Sequence, residues 1–88
     1  MKRNDEFILR KVAGNTIVVP VGAASVSFNG LLTLNETGAF LWDRLTRETS
    51  LDALAAALCE NYDVEPGRAQ KDTAAFLDRL RGIGALLD

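Results

Sequence analysis

Leu34-Asn35-Glu36-Thr37-Gly38-Ala39-Phe40-Leu41-Trp42 is the stretch at which the chain changes its periodicity. Before Asn35 the apolar residues alternate with period two and are largely β-branched. After it they recur at three and four, in runs rich in alanine and leucine. Asn35 suits a helix N-cap, because its side-chain oxygen can accept the unpaired amides of a first helical turn. Glu36 directly behind it suits the positive end of the helix dipole. The switch predicts an α+β domain, strand-rich in its N-terminal half and built of three helices in its C-terminal half.

Upstream of the junction, Val26, Phe28, Leu32 and Leu34 share one face with Gly30, while Ser27, Asn29 and Thr33 put polar groups on the other. This pattern predicts a strand from Val26 to Leu34. Leu31 breaks it, being apolar on the side that should meet water. A scattered surface leucine or a bulge at Gly30 would explain it; so would the border of a site where another chain docks. Gly22-Ala23-Ala24-Ser25 reads as a turn. In Ile17-Val18-Val19-Pro20-Val21 the odd positions form an apolar face, and Pro20, which cannot donate to a ladder, belongs at an edge or strand end. Gly14-Asn15 fits a type II′ hairpin turn, with the second strand starting at Thr16. Phe7–Val12 reads as the first strand, its inward face undecided because Arg10 and Lys11 fall one on each side. Residues 1–6 are charged and aperiodic, and are expected to form a flexible N-terminus ahead of a domain spanning 7–88.

Downstream, a first helix is expected from Glu36 to Arg47, with Gly38, Leu41, Trp42 and Leu45 on one face and Trp42 as a core anchor. Thr49-Ser50 caps a second helix whose stripe is Leu51, Leu54, Ala55, Leu58 and Tyr62. Pro66 suits the first position of a third helix, which runs to about Arg81 and buries Ala69, Thr73, Phe76, Leu77 and Leu80. Arg68, Asp72, Ala75 and Arg79 form a second stripe on that helix. It reads as a solvated charged face, although Ala75 in its middle is small enough to let a peptide approach. Gly82 and Gly84 end the helix, and Ile83, Leu86 and Leu87 are expected to return to the core.

Composition narrows the function. Eighty-eight residues make one domain with one modest core, too small for a deep enclosed active site. The net charge of −2 gives no basic surplus to attract nucleic acid. No apolar run approaches a membrane span and no signal peptide is present, so a cytoplasmic protein is expected. The chain has no histidine, which removes the usual general base and the commonest metal ligand. Glu36, Asp43, Asp52, Asp63 and Asp72 fall on exposed faces or caps, without the pairing that acid–base work needs. Cys59, the single cysteine, reads as a small buried hydrophobe beside the second helix's stripe. No enzyme, catalytic residue, metal or cofactor is expected.

Leu34-Asn35-Glu36-Thr37-Gly38-Ala39, then Leu41-Trp42, then Ser50, Leu54, Leu58 and Tyr62-Asp63-Val64, then Asp72, Phe76-Leu77, Leu80, Gly84 and Leu86-Leu87 resemble the PqqD-like family in order and spacing. The resemblance runs from about Phe7 to Leu87. It implies a winged helix-turn-helix-like fold, three N-terminal antiparallel strands followed by three helices. It also implies a non-catalytic peptide chaperone, or recognition element, for ribosomally made peptides. Such a domain binds the leader segment of a precursor peptide and presents it to a modifying enzyme, often a radical S-adenosylmethionine protein. Pyrroloquinoline quinone biosynthesis is one pathway among several that such domains serve. The leader is expected to add to the third strand, in the groove between that strand and the third helix. By position this places the docking edge at Val26, Ser27, Phe28, Asn29, Leu31 and Thr33, and the opposite wall at Asp72, Ala75, Phe76 and Arg79. Arg68 and Arg79, together with Lys71, could attract an acidic leader, and the open edge would also allow a homodimer by strand exchange.

Two other readings compete. A winged-helix DNA-binding protein would use the third helix to read bases, against which stand Asp72, Asp78 and the acidic net charge. A carrier protein would bear its prosthetic arm on Ser50, a role that a plain serine N-cap makes unnecessary.

Overall fold

The computed structural model describes residues 1–27 and 31–88, leaving out the side chain of Ser27. Its elements in chain order are β1 (Lys2–Arg3), β2 (Phe7–Val12), β3 (Asn15–Pro20), α1 (Ala24–Ser27), β4 (Leu32–Leu34), α2 (Glu36–Arg44), α3 (Leu51–Asn61), α4 (Pro66–Gly82) and β5 (Leu86–Leu87). β2, β3 and β4 form an antiparallel sheet in that order, and β1 pairs with β5 in a second, two-stranded one. The expected plan of three antiparallel strands followed by three helices is present, with β1, α1 and β5 added to it.

The hairpin turns one residue earlier than its glycine suggested. Val12 pairs with Asn15, so the two loop residues are Ala13 and Gly14, with φ of 52° and 84°. Two positive φ values are the type I′ pattern, whose twist matches that of the flanking strands. The register then sets Leu9 opposite Val18 and Phe7 opposite Pro20. Phe7, Val18 and Leu34 go into the core, at 2%, 0% and 8% exposure. Val18, not the odd-numbered Ile17 and Val19, is thus the inward residue of β3. A run that is apolar at every position carries no information about which face is buried, and the register decides it.

The strand expected from Val26 begins only at Leu32. Gly22 takes φ +59°, and the amides of Ser25 and Val26 bond back to the carbonyls of Gly22 and Ala23 at 3.1 Å. These local bonds curl the chain into α1, which buries Ala24 and leaves Val26 90% exposed instead of inward. Phe28, Asn29 and Gly30 lie outside the described residues. β4 keeps three residues of the expected strand, with Leu34 opposite Thr16 and Leu32 opposite Val18.

The helices follow the sequence closely. Asn35 Oδ1 accepts from the Gly38 amide at 2.9 Å, and Ser50 Oγ accepts from the Ala53 amide at 3.2 Å. α2 stops at Arg44, short of Arg47, because the Thr46 hydroxyl and amide both donate to the Asp43 carbonyl and close the last turn. Pro66 starts α4, which buries Ala69, Thr73, Phe76, Leu77 and Leu80 as expected. The helix ends in a Schellman motif. The Gly84 amide, on a residue with φ +81°, bonds the Arg81 carbonyl, and the Ala85 amide bonds the Leu80 carbonyl. Ala85 and Leu86 return to the core, but Leu87 stays 45% exposed.

Residues 1–6, expected to fray, carry structure instead. Lys2 and Arg3 pair with Leu87 and Leu86. The Arg3 amide donates to the Leu45 carbonyl, the Asn4 amide to that of Ala85, and the Thr49 amide to that of Met1. The Arg3 guanidinium lies 5.2 Å from the Trp42 ring centroid. These bonds run through the main chain, so they leave no hydrophobic signature in the sequence. Trp42 itself is buried at 2% exposure, the anchor its spacing predicted.

Candidate functional site

β4 is the last strand of its sheet, and among the described residues its outer side pairs with nothing. A groove lies beside it, lined on one side by the junction of β4 and α2 and on the other by α4. At the strand end, Thr33, Leu34, Asn35 and Gly38 face Phe76 and Arg79 across about 260 Å³. The middle, about 320 Å³, is walled by Leu41 of α2, Leu58 of α3, Tyr62 just beyond its end, Val64, and Asp72, Ala75, Phe76 and Arg79 of α4. At the far end Asp63, Val64, Glu65, Arg68 and Asp72 border a wider space. Asn35 is common to all three, so one residue caps α2 and lines the whole furrow.

Local sequence explains the room. Gly38 is buried against the strand, where a Cβ would sit 3.2 Å from Asn35 Oδ1 and 3.4 Å from Leu34 Cβ. A larger residue would crowd the cap and fill the groove. Ala75 supplies the same economy of volume on α4. The floor is apolar and the rim polar, the usual make-up of a site for a chain that buries alternate side chains. Tyr62 packs edge-to-face against Phe40, with centroids 5.4 Å apart. Burial, first, and then the neighbouring Glu36 carboxylate with its hydrogen bond raise the phenol pKa above its ordinary value, so Tyr62 is neutral over the physiological range. Arg68 and Asp72 form an exposed ion pair at 3.4 Å.

Of the residues singled out in the sequence, the structure gathers Thr33, Asp72, Ala75, Phe76 and Arg79 around the groove, with Arg68 at its far mouth. Leu31 stands 66% exposed just before β4. Val26 and Ser27 lie in α1, Val26 apart from the groove lining, and Phe28 and Asn29 fall outside the described residues. The sequence reading missed Asn35, Thr37, Gly38, Leu41, Leu58, Tyr62 and Val64 as lining residues. Gly38 was the available signal, a small residue on the buried face of a helix beginning exactly where a strand edge ends. No group of histidine, cysteine, aspartate or glutamate among the described residues could hold a metal ion, and none of the described helices is long and apolar enough to cross a membrane.

A free strand edge beside a helix-lined furrow, on a three-stranded sheet followed by three helices, makes a small winged-helix-like α+β domain. The chain belongs to the PqqD family: the family model described as Coenzyme PQQ synthesis protein D (PqqD) matches residues 8–86. Two solved structures are similar over nearly all of their length. One, a lasso peptide synthetase B1 complexed with the leader peptide, is 24% identical, with 99% of this chain and 96% of that one covered and a TM-score of 0.74. The other, TbiB1 in complex with the TbiA(beta) leader peptide, is 18% identical, with both chains fully covered (100% and 100%) and a TM-score of 0.71. At these identities the likeness establishes the fold. No curated protein matches the chain in sequence.

Proposed function

We propose that this domain is a non-catalytic recognition element. It binds the leader segment of a ribosomally made precursor peptide and presents it to a peptide-modifying enzyme, of the radical S-adenosylmethionine class or another, in the cytoplasm. The observation that carries the reading is the meeting of an open β4 edge with an adjoining apolar groove. That both similar structures hold leader peptides supports the same kind of occupant here.

Magnitudes say how the work divides. The described edge is three residues long, enough for about two main-chain hydrogen bonds worth about 1 kcal/mol each. A micromolar complex needs about 8 kcal/mol. Side chains entering the groove beside Phe76 and Ala75 must therefore supply most of the affinity, and Thr33 and Leu31 would guide the backbone. The open edge also allows two copies to exchange strands. The DNA-binding alternative finds no support: α4 alternates Asp72 and Asp78 with its arginines, and Arg68 and Arg81 are held in ion pairs.

The test is calorimetric titration with a synthetic leader taken from the precursor peptide encoded beside this chain's gene. Saturable one-to-one binding is expected. Leu31→Glu and Ala75→Arg, both at exposed positions, should each weaken it at least about tenfold with an unchanged melting temperature, since surface substitutions barely move stability. Absence of saturable binding by the parent protein would overturn the proposal.

A further inference from the structure

We propose that the groove reads the order of charge along the peptide it holds, taking a carboxylate at the end beside Arg79 and a cation at the end beside Asp63 and Glu65. This rests on the peptide-binding reading above and deepens it by naming the class of sequence bound. At the β4 end of the furrow, Arg79 is the only charged residue in the lining among the described residues. At the other end the lining holds Asp63, Glu65, Arg68 and Asp72. Arg68 and Asp72 face each other at 3.4 Å and largely cancel. What remains is one positive charge, Arg79, bordering the β4 end and the middle, and two negative charges at the far end, with Leu41, Leu58 and Phe76 among the residues lining the space between.

The leftover charges are free to act. Among the described residues, the side chains of Arg79, Asp63 and Glu65 take part in no hydrogen bond or ion pair. The nearby cation Arg81 is already shared between Asp78 and Asp88. Lys71 is on α4 but does not line the furrow. An extended peptide running with its charges in the complementary order meets attraction at both ends. The same peptide with its charges exchanged meets like charge at both ends, and juxtaposed like charges are an effective means of rejecting a wrong partner. Main-chain pairing at a strand edge is nearly indifferent to sequence, so charge order is what would fix which part of the leader lies where.

The test is panning of the full chain with a random peptide library displayed on phage. Enriched sequences should carry an acidic and a basic residue in one constant order around an apolar centre. No enrichment would overturn the peptide-binding reading and this inference with it. Enriched sequences without a constant charge order would overturn this inference alone. One enriched peptide and its charge-exchanged counterpart, each labelled with fluorescein, are then compared by anisotropy. The exchanged peptide should bind about tenfold more weakly at low salt, and the gap should close at about 1 M salt, where the Debye length is about 3 Å. Arg79→Glu should lose or reverse the preference, with its melting temperature as the control for folding. An Arg79→Glu protein that keeps the parent's preference would refute the assignment.

Discussion

Trp42→Ala tests the organisation of the core directly. The indole is 2% exposed, and burying a tryptophan removes about 150–250 Å² from water. At about 25 cal/mol/Å² that corresponds to about 4–6 kcal/mol, of which the remaining Ala methyl keeps a little, in line with about 3–5 kcal/mol for large-to-small core truncations. The Arg3 guanidinium, 5.2 Å from the ring centroid, loses its cation–π partner as well, for about 0.5–1 kcal/mol. Its hydrogen bond to the Trp42 carbonyl, at 3.3 Å, uses the backbone and is not removed by the substitution. For 88 residues, an unfolding entropy of about 2.1 cal/mol/K per residue makes about 0.18 kcal/mol/K, so a loss of about 4 kcal/mol lowers the melting temperature by about 20 °C. Trp42→Phe retains a ring and should cost clearly less. Calorimetric melting of the parent and both variants gives the numbers. Emission from the sole tryptophan should be blue-shifted in the native parent and move to the red on unfolding. A Trp42→Ala melting temperature within about 5 °C of the parent would refute the reasoning, since a 2% exposed indole cannot be deleted that cheaply.

Asn35→Ala removes the acceptor of the Gly38 amide and of the Thr37 hydroxyl and should cost about 1 kcal/mol in urea unfolding; because Asn35 also borders the groove, peptide affinity should fall with it. Thr73 is fully buried and its hydroxyl has no hydrogen-bond partner among the described residues; Thr73→Val should therefore raise stability by about 1 kcal/mol, measured by the same unfolding curve. The single tyrosine, Tyr62, should ionise above the ordinary phenol value when followed by ultraviolet absorbance, and Glu36→Gln should lower that midpoint. The sign follows from linkage: the folded-state pKa is raised, so the stability contributed by Tyr62 is complete below the unfolded-state pKa and lost as pH rises through the folded one.

How legible the protein was in its sequence varies by element, for physical reasons. α4 has one apolar face and one charged face, so its buried set of Ala69, Thr73, Phe76, Leu77 and Leu80 could be read off unambiguously. β3 is apolar on both faces, and nothing in Ile17-Val18-Val19 distinguishes the half that meets the core. Val26 continued an alternating pattern that two short-range hydrogen bonds overrode. β1 was missed because two charged residues held by their backbones look like a loose end. In the groove, the α4 wall announced itself as a stripe, whereas Leu58 and Tyr62 read only as members of the core stripe of α3. They are that too: a residue at the foot of a furrow faces the interior on one side and the open groove on the other.

The two flanks of the three-stranded sheet are unlike. β2 is the longer, six residues, all but Phe7 exposed, and it carries Arg10 and Lys11. Cations along a flank deter a like strand from joining it, since two copies meeting there would set positive groups against positive groups. β4 shows uncharged Leu32, Thr33 and Leu34. One rim of the sheet is thus guarded and the other left receptive, which would steer an incoming backbone toward the side that borders the furrow.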